Sequence, residues 1–128
     1  ELLKFMLGMY DGLVLAGTGS GNYPTKIKDV LENYTGECTV VRASRVLEGA
    51  VFDSDVFDSK KVTIPAYKFS AQKARILLML ALNCTKNHET IKSFFQEYWK
   101  NFSCIVNNFV NAIIIYRLLQ DRRLLCSN

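Results

Sequence analysis

The chain has 128 residues, room for one domain by the usual prior of roughly 100 to 200 residues each. Its side chains are 49% apolar and 22% charged, the balance of a globular protein and not of a disordered or fibrous one. The formal charge of +4 does not mark a nucleic-acid binder: residues 1–99 carry 12 basic and 11 acidic side chains, the excess falls mostly in 100–128, and no basic stripe interleaved with aromatics precedes residue 100.

Leu2, Leu3, Phe5, Met6 and Met9 stand at helix-compatible spacings and Gly8 and Gly12 supply a stop, so a short helix is predicted over 2–9. Gly12-Leu13-Val14-Leu15-Ala16-Gly17 is a continuous apolar run of strand length, the pattern of a strand covered on both faces in a parallel sheet. Gly17, Gly19 and Gly21 then break the chain before Asn22. Such a turn after a buried strand is expected to bring backbone close to a ligand, because glycine has no Cβ and tolerates positive φ. Pro24 suits a first helical turn, and Ile27, Val30, Leu31 and Tyr34 recur at i, i+3, i+4 and i+7, which predicts a helix over 24–35. Residues 38–44, Cys-Thr-Val-Val-Arg-Ala-Ser, read as a second strand, completing a right-handed βαβ unit with parallel pairing.

The aspartate-rich stretch 53–58 reads as a loop. Residues 62–67 are predicted as a short third strand, confined by Pro65 to an edge or a strand end. Ser70 is a good N-cap for a helix over 71–82. Ile91, Phe94, Phe95, Tyr98 and Trp99 mark a packing helix over 88–100, with His88 at its surface start. Beyond it, Asn107, Asn108 and Asn111 interrupt an apolar stretch that falls short of the ~20 residues of a membrane span. No membrane partner is expected, and the N-terminus reads as neither signal peptide nor spanning helix.

Cys38, Cys84, Cys104 and Cys126 form no C-x-x-C pair, so free thiols are expected and no metal site. The glycine loop half-matches a dinucleotide fingerprint but places Asn22 where the last glycine belongs, and the second strand ends in Arg42-Ala43-Ser44 without the acidic residue that holds a ribose. No Gly-Lys-Ser/Thr ends the loop either, so a nucleotide is disfavoured, a bound phosphate stays open, and no cofactor is expected. Arg42, Ser44 and Arg45 read as strand-end polar residues satisfying local backbone or surface partners, with no catalytic role.

Four segments, Gly12 to Asn22, Val40 to Val46 with Gly49, Gln72 to Leu82, and Phe94 to Tyr98, resemble in order and spacing the C-terminal domain of bacterial-type, type II-like L-asparaginases over residues 1–99, leaving 100–128 as an unmatched tail. The resemblance implies an α/β fold with a small three-stranded parallel sheet flanked by helices, and one sheet edge bare for want of a preceding strand. It implies hydrolysis of L-asparagine to L-aspartate and ammonia in a homo-oligomer, periplasmic or secreted if type II-like. The attacking threonine of that family, with a second threonine, an aspartate and a lysine, lies in the N-terminal-domain motifs T-G-G-T-I and H-G-T-D; neither occurs here, so no catalytic residue is expected in this chain and alone it should be inactive. The C-terminal domain instead completes the site of a neighbouring subunit. Asn22 occupies the position of the asparagine that ends the glycine loop and serves the network around substrate and nucleophile. A glutamate downstream of the S-R-V segment shares that duty; ungapped alignment puts Val56 there, with Asp55 beside it as a weaker candidate, unless Asp53 and Asp55 simply solvate their loop. The rival expectation is a non-catalytic relative acting as an interaction module, docking onto full-length subunits through the helix faces and the glycine loop and marked by exposed Leu and Phe positions on the last two helices.

Overall fold

The computed structural model describes residues 1–46, 48–54 and 58–105, with backbone alone over 101–105. Chain order runs α1 (Leu2–Met9), β1 (Gly12–Gly17), α2 (Thr25–Glu32), β2 (Thr39–Ser44), β3 (Thr63–Ser70), α3 (Ala71–Cys84) and α4 (His88–Ile105). The strands form a parallel sheet in the order β1-β2-β3, with Leu13 opposite Val40, Leu15 opposite Arg42, and Val41 opposite Ile64. This is the expected α/β architecture. The outer side of β1 pairs with no strand among the described residues.

The period-2 alternation of side chains sorts the strands into two faces. Leu13, Leu15 and Val40 join Leu7 of α1 and Leu31 of α2, whereas Val14, Val41, Ala43, Ile64 and Ala66 pack against Ala74, Leu77 and Ala81 of α3 and Ile91 and Phe95 of α4. Leu31, Ile64, Ile91 and Phe95 are each at most 1% exposed, and burying a side chain of that size contributes about 1.5–3 kcal/mol. The second face therefore carries most of the hydrophobic stabilisation.

α2 ends at Glu32, short of the expected Thr35. Tyr34 is used otherwise: its hydroxyl donates to the Leu7 carbonyl and accepts from the Cys38 amide, both at 3.0 Å, tying α1 to the entrance of β2. Ser70 caps α3 as expected, its Oγ accepting from the Lys73 amide at 3.4 Å. Asn87 caps α4 by accepting from the Thr90 amide at 3.0 Å. α4 runs five residues past Lys100, since no glycine or proline stops it before Ile105.

β3 departs most from expectation. It is an edge strand, where Pro65 is tolerated because its missing N–H costs no ladder bond on the open side. Its pairing slips, however: Arg42 faces Pro65 but Ser44 faces Ser70, so the strand carries extra residues at its carboxyl end. Tyr67, at φ +53°, absorbs them, and its carbonyl accepts from the Val51 amide at 2.9 Å.

Candidate functional site

The carboxyl end of β1 turns back on itself within five residues. The Thr18 amide donates to the Asn22 carbonyl at 3.0 Å, and the Asn22 amide returns the bond to the Thr18 carbonyl at 2.8 Å, which the Gly21 amide also reaches at 3.0 Å. A Cβ on Gly17 would collide with the Asn22 carbonyl, and Gly21, at φ +84°, would bring its Cβ within 3.0 Å of the Arg42 side chain. Gly19 has positive φ but open space around it. The close approach expected toward a ligand is thus partly an approach of the loop to its own chain.

β2 holds this loop from beneath. The Ser44 hydroxyl donates to the Gly19 carbonyl at 2.6 Å while accepting from the Val46 amide at 3.0 Å, and the Arg45 amide donates to the Gly17 carbonyl at 2.8 Å. The Arg42 guanidinium, 1% exposed, donates through Nη1 to the Ser20 carbonyl at 3.2 Å and through Nη2 to the Phe52 carbonyl at 2.7 Å. Ser44 and Arg42 do find backbone partners, but across the fold, 25, 22 and 10 residues away in sequence, and Arg42 is buried and not a surface group.

With its backbone clamped, Asn22 stands exposed at the rim of an open hollow of about 420 Å³, lined also by Leu15, Gly17, Thr18, Tyr23 and Arg45. A carboxamide there can both donate and accept hydrogen bonds. Tyr23 is half-buried against the first core face, and burial, with the Asp58 charge adding and Arg42 opposing, pushes its phenol above the ordinary value. A larger hollow of about 510 Å³, lined by Cys38, Thr39, Lys86 and His88, lies at the amino end of the strands, away from this loop. His88 begins α4 as expected but is half-buried, its Nδ1 3.5 Å from Glu89 and its Nε2 turned inward.

Asp55 and Val56 lie outside the described residues. Asp53 does more than solvate its loop, pairing with Lys92 at 3.1 Å. Cys38 and Cys84 are free thiols, and among the described residues no group of His, Cys, Asp and Glu is placed to hold a metal ion. No described helix is long and apolar enough to cross a membrane.

Sequence reasoning missed the aromatic cluster beside the loop. The Phe52 ring stands edge-on to Tyr67 at 6.0 Å and to Trp99 at 5.8 Å. Pro65 signals an irregular strand, but nothing local to Tyr67 announces its left-handed backbone.

The sequence profile of the family described as the Glutaminase/Asparaginase C-terminal domain matches residues 1–95. The chain is 42% identical over 91 residues to L-asparaginase 2 of Escherichia coli, covering 70% of this chain and 26% of that protein. It is 40% identical over 91 residues to a probable periplasmic L-asparaginase of Haemophilus influenzae, with 70% and 26% covered. A crystal structure of a probable cytoplasmic L-asparaginase from Campylobacter jejuni superposes with a TM-score of 0.61 at 34% identity, over 74% of this chain and 30% of that one. The chain therefore spans about a quarter of the length of these curated relatives.

Proposed function

The chain belongs to the glutaminase/asparaginase C-terminal domain family, and from that premise we propose that it supplies one side of an L-asparagine-hydrolysing site, with Asn22 as its contribution. The exposed Asn22, on a loop clamped by β2 at the rim of an open hollow, carries this reading. That rim lies at the carboxyl end of a parallel strand, where open α/β sheets place their ligands. The attacking threonine and the groups that activate it come from an N-terminal domain, within a homo-oligomer whose neighbouring subunit this domain completes. Asn22 donates to and accepts from the hydrogen-bonded network around substrate and nucleophile, and Asp55 is a second contributor, supported only by its place beside Val56. The unit that does this is residues 1–99, with 100–128 appended to it.

The division of labour predicts that the chain alone releases no ammonia from L-asparagine, and that mixing it with the separately expressed N-terminal domain of the Escherichia coli relative restores release. Asn22→Ala should lower that release at least ~10-fold with little change in melting temperature, since the side chain is exposed. Ammonia from the chain alone, abolished by Asn22→Ala, would overturn the division; silence of the mixture would overturn the function.

One observation favours the second reading, a non-catalytic docking module: Ile76 and Met79 of α3 are 53% and 54% exposed, although the leucines and phenylalanines expected to mark such a surface are buried or half-buried among the described residues of α3 and α4. Under that reading Ile76→Glu abolishes association with full-length relatives, whereas Asn22→Ala leaves it intact.

A further inference from the structure

Arg42 stands in a strand whose other residues are apolar or hydroxylated, on the face that Leu13, Leu15 and Val40 fill with hydrocarbon. An aliphatic side chain would fill that face without burying a charge, so the arginine calls for a use. Its side chain touches the glycine loop in two independent ways. The aliphatic stem is the floor under Gly21, where a Cβ would come within 3.0 Å of Arg42 Cγ. The guanidinium fork reaches Ser20 on that loop and Phe52 on the segment after β2, carbonyls 22 and 10 residues away in sequence.

We propose that Arg42 is the positioning residue of the site: it sets the height and spacing of the glycine loop against the 51–54 segment and so places the Asn22 carboxamide. The inference rests on the role proposed for Asn22. A planar guanidinium presents several donors at fixed angles and can span two carbonyls on separate segments. A lysine carries its three donors on a single nitrogen and lacks that fixed fork. Nε of Arg42 is buried and meets no hydrogen-bond partner among the described residues, so the two outer nitrogens carry the guanidinium's contacts there. Ser44 anchors the Gly19 side of the same loop, so Arg42 governs the half nearest Asn22.

The test is amide hydrogen exchange of the 128-residue chain followed by NMR, comparing wild type with Arg42→Lys. Exchange at Gly21 and Asn22, whose amides close the loop, should accelerate at least ~10-fold, while the β1–β2 ladder amides stay within about 2-fold. Equal acceleration everywhere, or an unchanged loop, overturns the proposal. If Arg42→Lys does not fold, Arg42→Gln, which keeps donors without charge, takes its place; failure of both to fold makes Arg42 a residue of the core and likewise overturns it. In the complementing mixture the same variant should lower kcat about 10- to 100-fold with KM within about 2-fold, as a displaced contributing group does. On an Asn22→Ala background it should have no further effect, and a further loss there overturns the link to Asn22. A wild-type mixture without activity removes the proposed hydrolysis, and the exchange comparison then decides alone whether Arg42 holds the loop.

Discussion

Tyr67 and Trp99 are stacked, their ring centroids 5.2 Å apart and their planes inclined by 18°, with the Phe52 ring set edge-on against both. The contact joins the segment after β2, the irregular end of β3 and α4. Trp99 is the one tryptophan of the chain, so its fluorescence reports this junction alone. Phe52→Ala is expected to red-shift the emission and to cost about 1 kcal/mol, the value of an aromatic contact at a half-exposed site. An unshifted spectrum would mean that the indole does not depend on Phe52.

The phenols of Tyr23 and Tyr67 both lie above the ordinary value of 10.0, chiefly because burial disfavours the phenolate. In the unfolded chain they ionise near the ordinary value, whereas the folded chain keeps them protonated to higher pH. Their contribution to stability is therefore complete below pH ~10 and is lost as pH rises through the folded values. Absorbance titration at 295 nm of wild type against Tyr23→Phe and Tyr67→Phe should show that each substitution removes a phenol that ionises late, together with alkaline unfolding. Loss of an early-ionising phenol in either variant would contradict the burial.

Ser44→Ala removes the hydroxyl that accepts from Val46 and donates to Gly19. The loss should be about 1–2 kcal/mol, because two backbone groups beneath the loop lose their partner. Urea unfolding measures the stability, and exchange at the Val46 amide, which donates to that hydroxyl, should rise beyond the global change.

Gly17 and Gly12 make a matched comparison. An added Cβ meets backbone at Gly17, the Asn22 carbonyl and Gly21, but meets only the flexible ends of Leu78 and Leu82 at Gly12. Gly17→Ala should therefore cost about 2 kcal/mol more than Gly12→Ala and displace Asn22. Chemical denaturation of the pair settles it, and equal costs would mean that the loop backbone yields as easily as a leucine side chain.

Much of this architecture is legible in the residues themselves. A continuous apolar run at 12–17 and a β-branched stretch at 38–44, joined by a helix with Ile27, Val30 and Leu31 on one face, leave little but a parallel βαβ unit, and Ser70 marks the start of α3 directly. The site is less legible, because what holds it is long-range. Nothing near Arg42 in sequence says that its partners are Ser20 and Phe52, and a charged residue late in a strand reads as a surface group. Tyr67 takes a conformation that its own type disfavours, because the ring must reach Trp99 and the carbonyl must reach Val51, demands set 32 and 16 residues away. The glycine spacing gives the loop's closeness but not its target, which includes the loop's own carbonyl.

Asp58 separates stability from function. Its carboxylate, in a residue 6% exposed, accepts from the Val62 amide at 2.8 Å and from the amide and hydroxyl of Thr63 at 2.6 and 2.5 Å, so it fixes the entrance of β3. Bonds to a charged acceptor are each worth about 1.5–3 kcal/mol, and their loss here is not repaid by water. Asp58→Ala should cost about 3 kcal/mol or more, and Asp58→Asn nearly as much, since its NH2 group turns donors toward donors. The glycine loop, however, is held by Arg42 and Ser44 from β2, so the fraction of Asp58→Ala that remains folded should complement the N-terminal domain as wild type does. Ammonia release normalised to the folded fraction by circular dichroism checks this, and a loss of normalised rate as large as that of Asn22→Ala would place Asp58 among the groups that set the site.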